Sequence, residues 1–184
     1  MAIKIEKMNL NHLNELQEIL ISDFDDFWSF STLKEEVENE NSSYIIGKIN
    51  NEIIGFAGLK IIFDQADIMN IVIKKTYRNQ GIGTLLLENL ILLAKDLNIS
   101  TLFLEVNEQN KPAIHLYEKF GFEKLGVRKK YYNNNNGIIM KKNVFSTKNK
   151  TLIGKIFRYV MLGIFAVYTL FPLIFLFINS FKRQ

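Results

Sequence analysis

Up to about residue 142 the apolar residues fall into two patterns, short β-branched runs and helical spacing; from Tyr159 to Phe181 they merge into one long uncharged run. IKIEKM (residues 3–8) reads as a strand, and Leu10, Leu13, Leu16, Ile19 and Leu20 then recur at helical spacing and predict one amphipathic helix. Thr32 followed by Glu35 has the form of a capping box, which predicts a second helix running to about Glu40. Two β-branched runs, SYIIGKI (43–49) and EIIGFAGLKII (52–62), are separated by Asn50-Asn51, a pair suited to a two-residue hairpin turn. A third strand, DIMNIVI, ends at Ile73 and gives way through the loop KKTYRNQGIG to a helix with Leu85, Leu86, Leu90, Leu93 and Leu97 on its apolar positions. TLFLEV (101–106) is a further strand. Asn110 as N-cap, Pro112 in the first turn and Gly121 after Phe120 bracket a short helix. FEKLGVRKKYY and GIIMKK form a last hairpin around the asparagine tract 133–136, read as a solvated turn. The order is strand, two helices, three strands, helix, strand, helix, two strands. That is an α+β chain, with one mixed sheet covered by helices on both faces.

The uncharged run changes the domain picture. From Tyr159 to Phe181 no residue is charged, and a helix of that length spans about 30 Å or slightly more, the thickness of a bilayer core. It has no polar face, whereas a helix packed on a soluble core would have one. Lys155 and Arg158 precede it; Lys182 and Arg183 follow. The expected organisation is a folded domain over residues 1–147, a basic linker over 148–158, a transmembrane helix over 159–181 and a basic end at 182–184. Basic residues are denser upstream, so the positive-inside rule leaves the folded domain in the cytoplasm. The tail also resembles the first membrane helix of inner-membrane sugar permeases, through Arg158-Tyr159, Phe171-Pro172-Leu173 and Asn179-Ser180-Phe181-Lys182. A simple inner-membrane anchor, a gene fusion or a frameshifted reading frame would each give such a tail, and in a membrane component the folded domain would be a passenger or sensor.

The same division reassigns the net charge of +4. Residues 148–184 carry six basic groups and no acid, which leaves 17 basic against 19 acidic residues in the remainder. A surface tracking phosphates along a strand needs its cations on the folded part, so a direct nucleic-acid partner is not expected. The absence of cysteine excludes a disulfide framework, a thiolate zinc site and a cysteine nucleophile. His12 and His115 stand alone on helices without partners at ligand spacing, so no metal is expected.

The chemistry gathers after the third of the central strands. In Arg78-Asn79-Gln80-Gly81-Ile82-Gly83-Thr84, two glycines stand where a strand becomes a helix. There the first N–H groups of the helix can receive an anion, with Arg78 as a cation beside them, and a pyrophosphate is the natural guest. The alternative is an ordinary glycine-containing helix start. A dinucleotide fingerprint would need glycine where Leu86 stands, and a P-loop would need Lys-Ser/Thr after its last glycine; neither is present. Glu105 interrupts the apolar strand TLFLEV, and a carboxylate there is a base, an anchor for a substrate ammonium, or a strand-end charge in solvent.

Arg78 to Gly83 resembles the R/Q-x-x-G-x-G/A motif of the Gcn5-related N-acetyltransferase (GNAT) superfamily. The preceding strand, TLFLEV and NKPAIHLYEKFGF (110–122) stand in that superfamily's order. Within it, LEV-x₃-N-x₃-A-x-x-LYEKFGF followed by R-x-x-YY, together with Phe27-Trp28-Ser29, is similar to ribosomal-protein-alanine N-acetyltransferases of the RimI type. The resemblance covers residues 1 to about 142. It implies the GNAT fold with a mixed, mostly antiparallel sheet, acetyl-CoA as cosubstrate without a metal, and direct acetyl transfer to an amine of a protein or peptide, a ribosomal protein among them. It also implies site residues. Glu105 would be the general base, acting through water, and Tyr117 the general acid for the departing thiolate. Ile71, Val72 and Ile73 would offer backbone groups to the donor; Arg78, Asn79, Gln80, Gly81, Ile82, Gly83 and Thr84 would hold its pyrophosphate. Asn110, by its position a helix cap, would add a cofactor contact, as would Tyr117. Trp28, Tyr131 and Tyr132 would line the acceptor groove. After Tyr131-Tyr132 the pattern departs from these relatives, whose acidic-plus-alanine segment is replaced by NNNNGIIM.

Overall fold

A computed structural model describes residues 3–24, 29–132, 134–145 and 158–162 of the chain. It divides into two units, residues 1–145 and 146–184. In the first, a seven-stranded sheet runs in the order β1-β2-β3-β4-β5-β7-β6, with β1 Lys4–Lys7, β2 Ser42–Ile49, β3 Glu52–Ile62, β4 Gln65–Ile73, β5 Thr101–Asn107, β6 Glu123–Tyr132 and β7 Asn135–Asn143. Every pairing is antiparallel except that of β4 with β5. The helices are α1 Leu10–Gln17, α2 Leu20–Asp23, α3 Phe30–Glu38, α4 Ile82–Asp96 and α5 Lys111–Lys119.

Strand alternation explains how one sheet supports two cores. Ile45, Ala57 and Leu59 point to one face, where Leu86, Leu87 and Leu90 of α4 cover them and residues of α5 pack alongside. Tyr44, Ile46 and Phe56 point to the other, under Leu13 and Leu16 of α1, Leu20 of α2 and Leu33 of α3. Helices therefore cover both faces, as the order of elements predicts. The turn between β2 and β3 is also as expected: Asn50 and Asn51 both take positive φ, 48° and 69°, the backbone twist that a two-residue hairpin requires.

Local details differ from the sequence reading. The first helix breaks after Gln17, because the N–H groups of Glu18 and Ile19 both turn back to the Leu16 carbonyl, and α2 restarts with Leu20 and then Phe24 buried in the core. The cap of α3 is Ser29 rather than Thr32. Its hydroxyl accepts the Thr32 N–H at 3.2 Å, so the helix begins three residues earlier than the Thr32–Glu35 pair suggested. His12 is not isolated. Asn9 and His12 cap α1 reciprocally, and the His12 Nε2 lies 3.4 Å from Glu6. Nor is the asparagine tract wholly a solvated turn, since Asn135 and Asn136 begin β7.

In the second unit residues 158–162 are helical and exposed. No helix among the described residues is long and apolar enough to cross a membrane. Of the expected linker and membrane run, residues 148–157 and 163–184 lie outside the described residues.

Candidate active site

The site is opened by a fault in the sheet. Opposite β3, Gly58 pairs with Asn70 and Leu59 with Ile68, so Met69 is an extra residue that bulges β4. β4 and β5 pair only at Gln65–Thr101, Ala66–Leu102 and Asp67–Phe103; beyond the bulge they part. Backbone alternation decides which groups face the gap. The Lys74 N–H donates to the Ile54 carbonyl on β3, so Val72, two residues back, also turns its polar groups to β3. Ile71 and Ile73 turn theirs the other way, and the Ile73 carbonyl indeed accepts from the Arg78 Nε at 3.3 Å. Of the three backbone positions predicted, Val72 is therefore the one directed away from the gap.

A 3-10 turn, Lys75–Tyr77, leads from β4 into the glycine loop. Asn79 and Gly81 take left-handed conformations, φ 59° and 82°, and α4 starts at Ile82 with no side chain capping it and no acid in its first turn. The N–H groups of Ile82, Gly83 and Thr84 are thus left to an anion at the positive end of a 15-residue helix. A Cβ on Gly83 would come within 3.1 Å of the Ile73 side chain, so glycine there lets the helix start close against β4. The Gln80 amide donates to the Thr76 carbonyl, which tightens the same loop. This donor set fits the pyrophosphate of a nucleotide-bearing acyl donor. Asn110 accepts the Ala113 N–H at 3.2 Å and caps α5.

Glu105 lies on β5 between buried Leu104 and Val106. Since those two pack on the α4 side, the carboxylate projects from the opposite face, where α1 to α3 lie. It interrupts nothing in the core; the strand is buried on one side only. The Arg128 guanidinium holds it, with Nη1 at 3.1 Å and 3.3 Å from the two carboxylate oxygens. The Tyr132 hydroxyl donates to the Glu105 backbone carbonyl at 3.2 Å, and its ring meets that of Tyr131 edge-on at 5.0 Å. From α5, Tyr117 packs edge-on against Phe122 at 5.8 Å. Burial, and then the neighbouring Tyr132, push its hydroxyl up to about 12, so Tyr117 keeps its proton at neutral pH. Tyr132 thus stands between Tyr117 and the Glu105 backbone, and Arg128 bridges the Glu105 carboxylate and the Tyr131 ring. Trp28 lies outside the described residues. Arg128 was visible in the sequence only as part of R-x-x-YY, without a role. Among the described residues no group of three or more His, Cys, Asp or Glu side chains could hold a metal.

The sheet parted between β4 and β5 carries an uncapped glycine-loop helix on one side and a carboxylate and a protonated tyrosine on the other, an arrangement that suits acyl transfer. Residues 13–122 match the acetyltransferase (GNAT) family, and the chain belongs to it. Over 107 residues it is 46% identical to the ribosomal protein bS18-alanine N-acetyltransferase of Haemophilus influenzae, covering 57% of this chain and 70% of that one. The crystal structure of the ribosomal-protein-S18-alanine N-acetyltransferase from Escherichia coli superimposes with a TM-score of 0.73 at 28% identity, covering 80% of this chain and 98% of that one. A GNAT family acetyltransferase from Elizabethkingia anophelis with acetyl-CoA bound shares the fold at a TM-score of 0.64 and 24% identity, over 77% of this chain and 97% of the other. The chain is accordingly an acetyl-CoA-dependent N-acetyltransferase.

Proposed function

We propose that this enzyme acetylates the N-terminal α-amine of a protein, with an N-terminal alanine of a ribosomal protein as its acceptor. The observation that carries this is the 46% identity to a bS18-alanine N-acetyltransferase over 107 residues.

Acetyl-CoA supplies an activated acetyl thioester. The protein's residues divide the remaining work. The loop from Arg78 to Thr84 binds the pyrophosphate through its backbone and orients the thioester toward the gap, and the cap residue Asn110 adds a contact to the same cofactor. An N–H from Ile71 or Ile73 meets the negative charge that develops on the carbonyl oxygen as the amine attacks. Val72, bonded to β3, serves by fixing the strand. A free α-amine has a pKa of about 7.7–8.0, so at neutral pH most of it is ammonium and must lose a proton first. Glu105 accepts that proton through water. Tyr117 donates a hydrogen bond to the departing thiolate; its own raised pKa makes it a donor throughout the working range and a poor source of a fully transferred proton. Tyr131 and Tyr132, with Trp28, border the acceptor. Peptides beginning with alanine are expected to gain one acetyl group on the α-amine, read by fragment mass spectrometry, while N-terminally blocked peptides carrying a lysine stay unmodified. Modification of the lysine alone would overturn the acceptor assignment in favour of a lysine or small-amine acetyltransferase.

For the tail we infer a membrane anchor over residues 159–181, joined to the catalytic domain of residues 1–147 by the basic linker 148–158 and ended by 182–184. Its support is the uncharged run itself with basic residues on both sides. The full chain is expected to stay in the membrane pellet after alkaline carbonate extraction, with the domain on the cytoplasmic side. Release into the supernatant would remove the anchor.

A further inference from the structure

In the β6–β7 ladder Arg128 faces Gly137 and Tyr132 faces Asn135, so the three residues 129–131 of β6 stand opposite the single residue Asn136. A mismatch of that size leaves backbone groups without ladder partners, and Lys130 enters the left-handed region at φ 54°, where a lysine is rarely found. Asn136 makes good the loss. Its Oδ1 accepts the Lys130 N–H at 3.1 Å, its Nδ2 donates to Glu108 Oε2 at 3.0 Å, and its backbone N–H donates to Glu108 Oε1 at 2.9 Å. The Glu108 N–H in turn donates to the Asn136 carbonyl at 3.0 Å. Both ends of Asn136 and both carboxylate oxygens of Glu108 are engaged. The backbone and side-chain bonds from Asn136 hold the Glu108 carboxyl below its ordinary range.

The bulge locked in this way carries the aromatic end of the site. Tyr131 folds over Gly137, where a Cβ would meet its ring at 3.2 Å, and the Arg128 guanidinium lies 4.8 Å from its ring centroid. Tyr132, just past the bulge, bonds the Glu105 carbonyl. Glu108 follows Glu105 by three residues, so the same contact ties the strand of the proposed base to the hairpin. We propose that Asn136 and Glu108 are a positioning pair that holds Tyr131 and Tyr132 in register for the acceptor. This rests on the reading that those two tyrosines border the acceptor groove.

The bond pattern supplies its own test. Asn136→Asp sets two carboxylates face to face, and Glu108→Gln sets two amide donors against each other however the side chains flip. Combined, the two changes restore every bond: the introduced glutamine donates to the introduced aspartate, reversing the side-chain bond, while the backbone N–H of residue 136 still donates to residue 108 and the aspartate still accepts from Lys130. In steady-state assays with acetyl-CoA and an alanine-starting peptide, each single variant is expected to raise the peptide KM about tenfold with the acetyl-CoA KM unchanged, and the double variant to return to within about twofold. An unchanged peptide KM in the singles, or no recovery in the double, would overturn the pair. If the acetyl-CoA KM rises instead, the hairpin borders the donor and both the pair's role and the acceptor groove fall. Hydrogen exchange of the Lys130 amide gives a readout independent of any acceptor: protection in the unmodified chain, loss in the singles and return in the double. A Lys130 amide that exchanges freely in the unmodified protein overturns the clasp whatever the enzyme acetylates.

Discussion

Glu105→Gln is expected to lower kcat by about 10²–10⁴-fold at pH 7 and by much less at pH 9. The glutamine preserves the size of the side chain and removes its ability to take a proton. At pH 7 the acceptor is mostly ammonium, so the variant must wait for the small fraction that is already free amine. Above the amine's own pKa of about 8 the free form dominates and the missing base matters less. A pH–rate profile of the variant against wild type reads this directly. The acetyl-CoA KM should not move, because the carboxylate projects from the face opposite α4. A uniform loss at every pH would instead make Glu105 an electrostatic anchor for the substrate, and undiminished activity would remove it from the reaction. The structure adds a control. Arg128 grips the carboxylate from one side, and in Glu105→Gln that ion pair is gone, so a thermal melt is needed to show that the fold survives. Arg128 is exposed and Glu105 half-buried, and the loss of the pair is worth about 1 kcal/mol.

The second large effect is expected at the donor end. Gly81→Val is expected to raise the KM for acetyl-CoA by at least tenfold while leaving the acceptor KM little changed. Nothing lies within 4 Å of a Cβ built on Gly81, so the penalty is not a clash. It comes from φ 82°, which a β-branched residue adopts only under strain of about 1–2 kcal/mol. Relaxing out of that conformation swings the N–H groups of the loop away from the point on which they converge. Gly81→Asn separates the two causes, since asparagine tolerates the left-handed region and should keep most of the affinity. Calorimetric titration with coenzyme A gives the same comparison without turnover, and equal affinity in wild type and Gly81→Val would mean that the loop does not hold the donor.

How far these features could be read from sequence depended on whether they were local. The β-branched runs of β2 and β3, the helical spacing in α4 and the Asn50-Asn51 turn each depend on residues a few positions apart, and each appears where predicted except that Leu97 falls just past the end of α4 and is exposed. The glycine loop was legible for the same reason. Two kinds of feature were not: the outcome of close competition between neighbouring groups, and contacts between partners far apart in the chain. The break after Gln17 and the cap at Ser29 depend on which backbone carbonyl or hydroxyl wins a local competition, and composition does not rank them. The bulge at Met69 follows from pairing with β3, so Ile71 and Ile73 could not be told from Val72 on sequence alone. Glu105 looked like an interruption in an apolar strand because the strand's one-sided burial is set by α4. Asn136 was hidden among four identical residues; only the three residues of β6 that stand across from it, and Glu108 on another loop, distinguish it from its neighbours.

The parting of β4 from β5 has a consequence for solubility. A seven-stranded sheet ordinarily has two free edges, and this one has four. The outer pair, β1 and β6, carries Lys4 and Lys7 at one side and Lys124, Arg128, Lys129 and Lys130 at the other, charges that discourage a second sheet from docking there. The inner pair has no such guard and needs none, because the strands rejoin at Gln65–Asp67 and the opening is a closed-ended wedge rather than a border. Hydrogen-bonding edges that would invite aggregation on the rim are kept in the middle of the sheet, where the approach is limited to a narrow extended molecule.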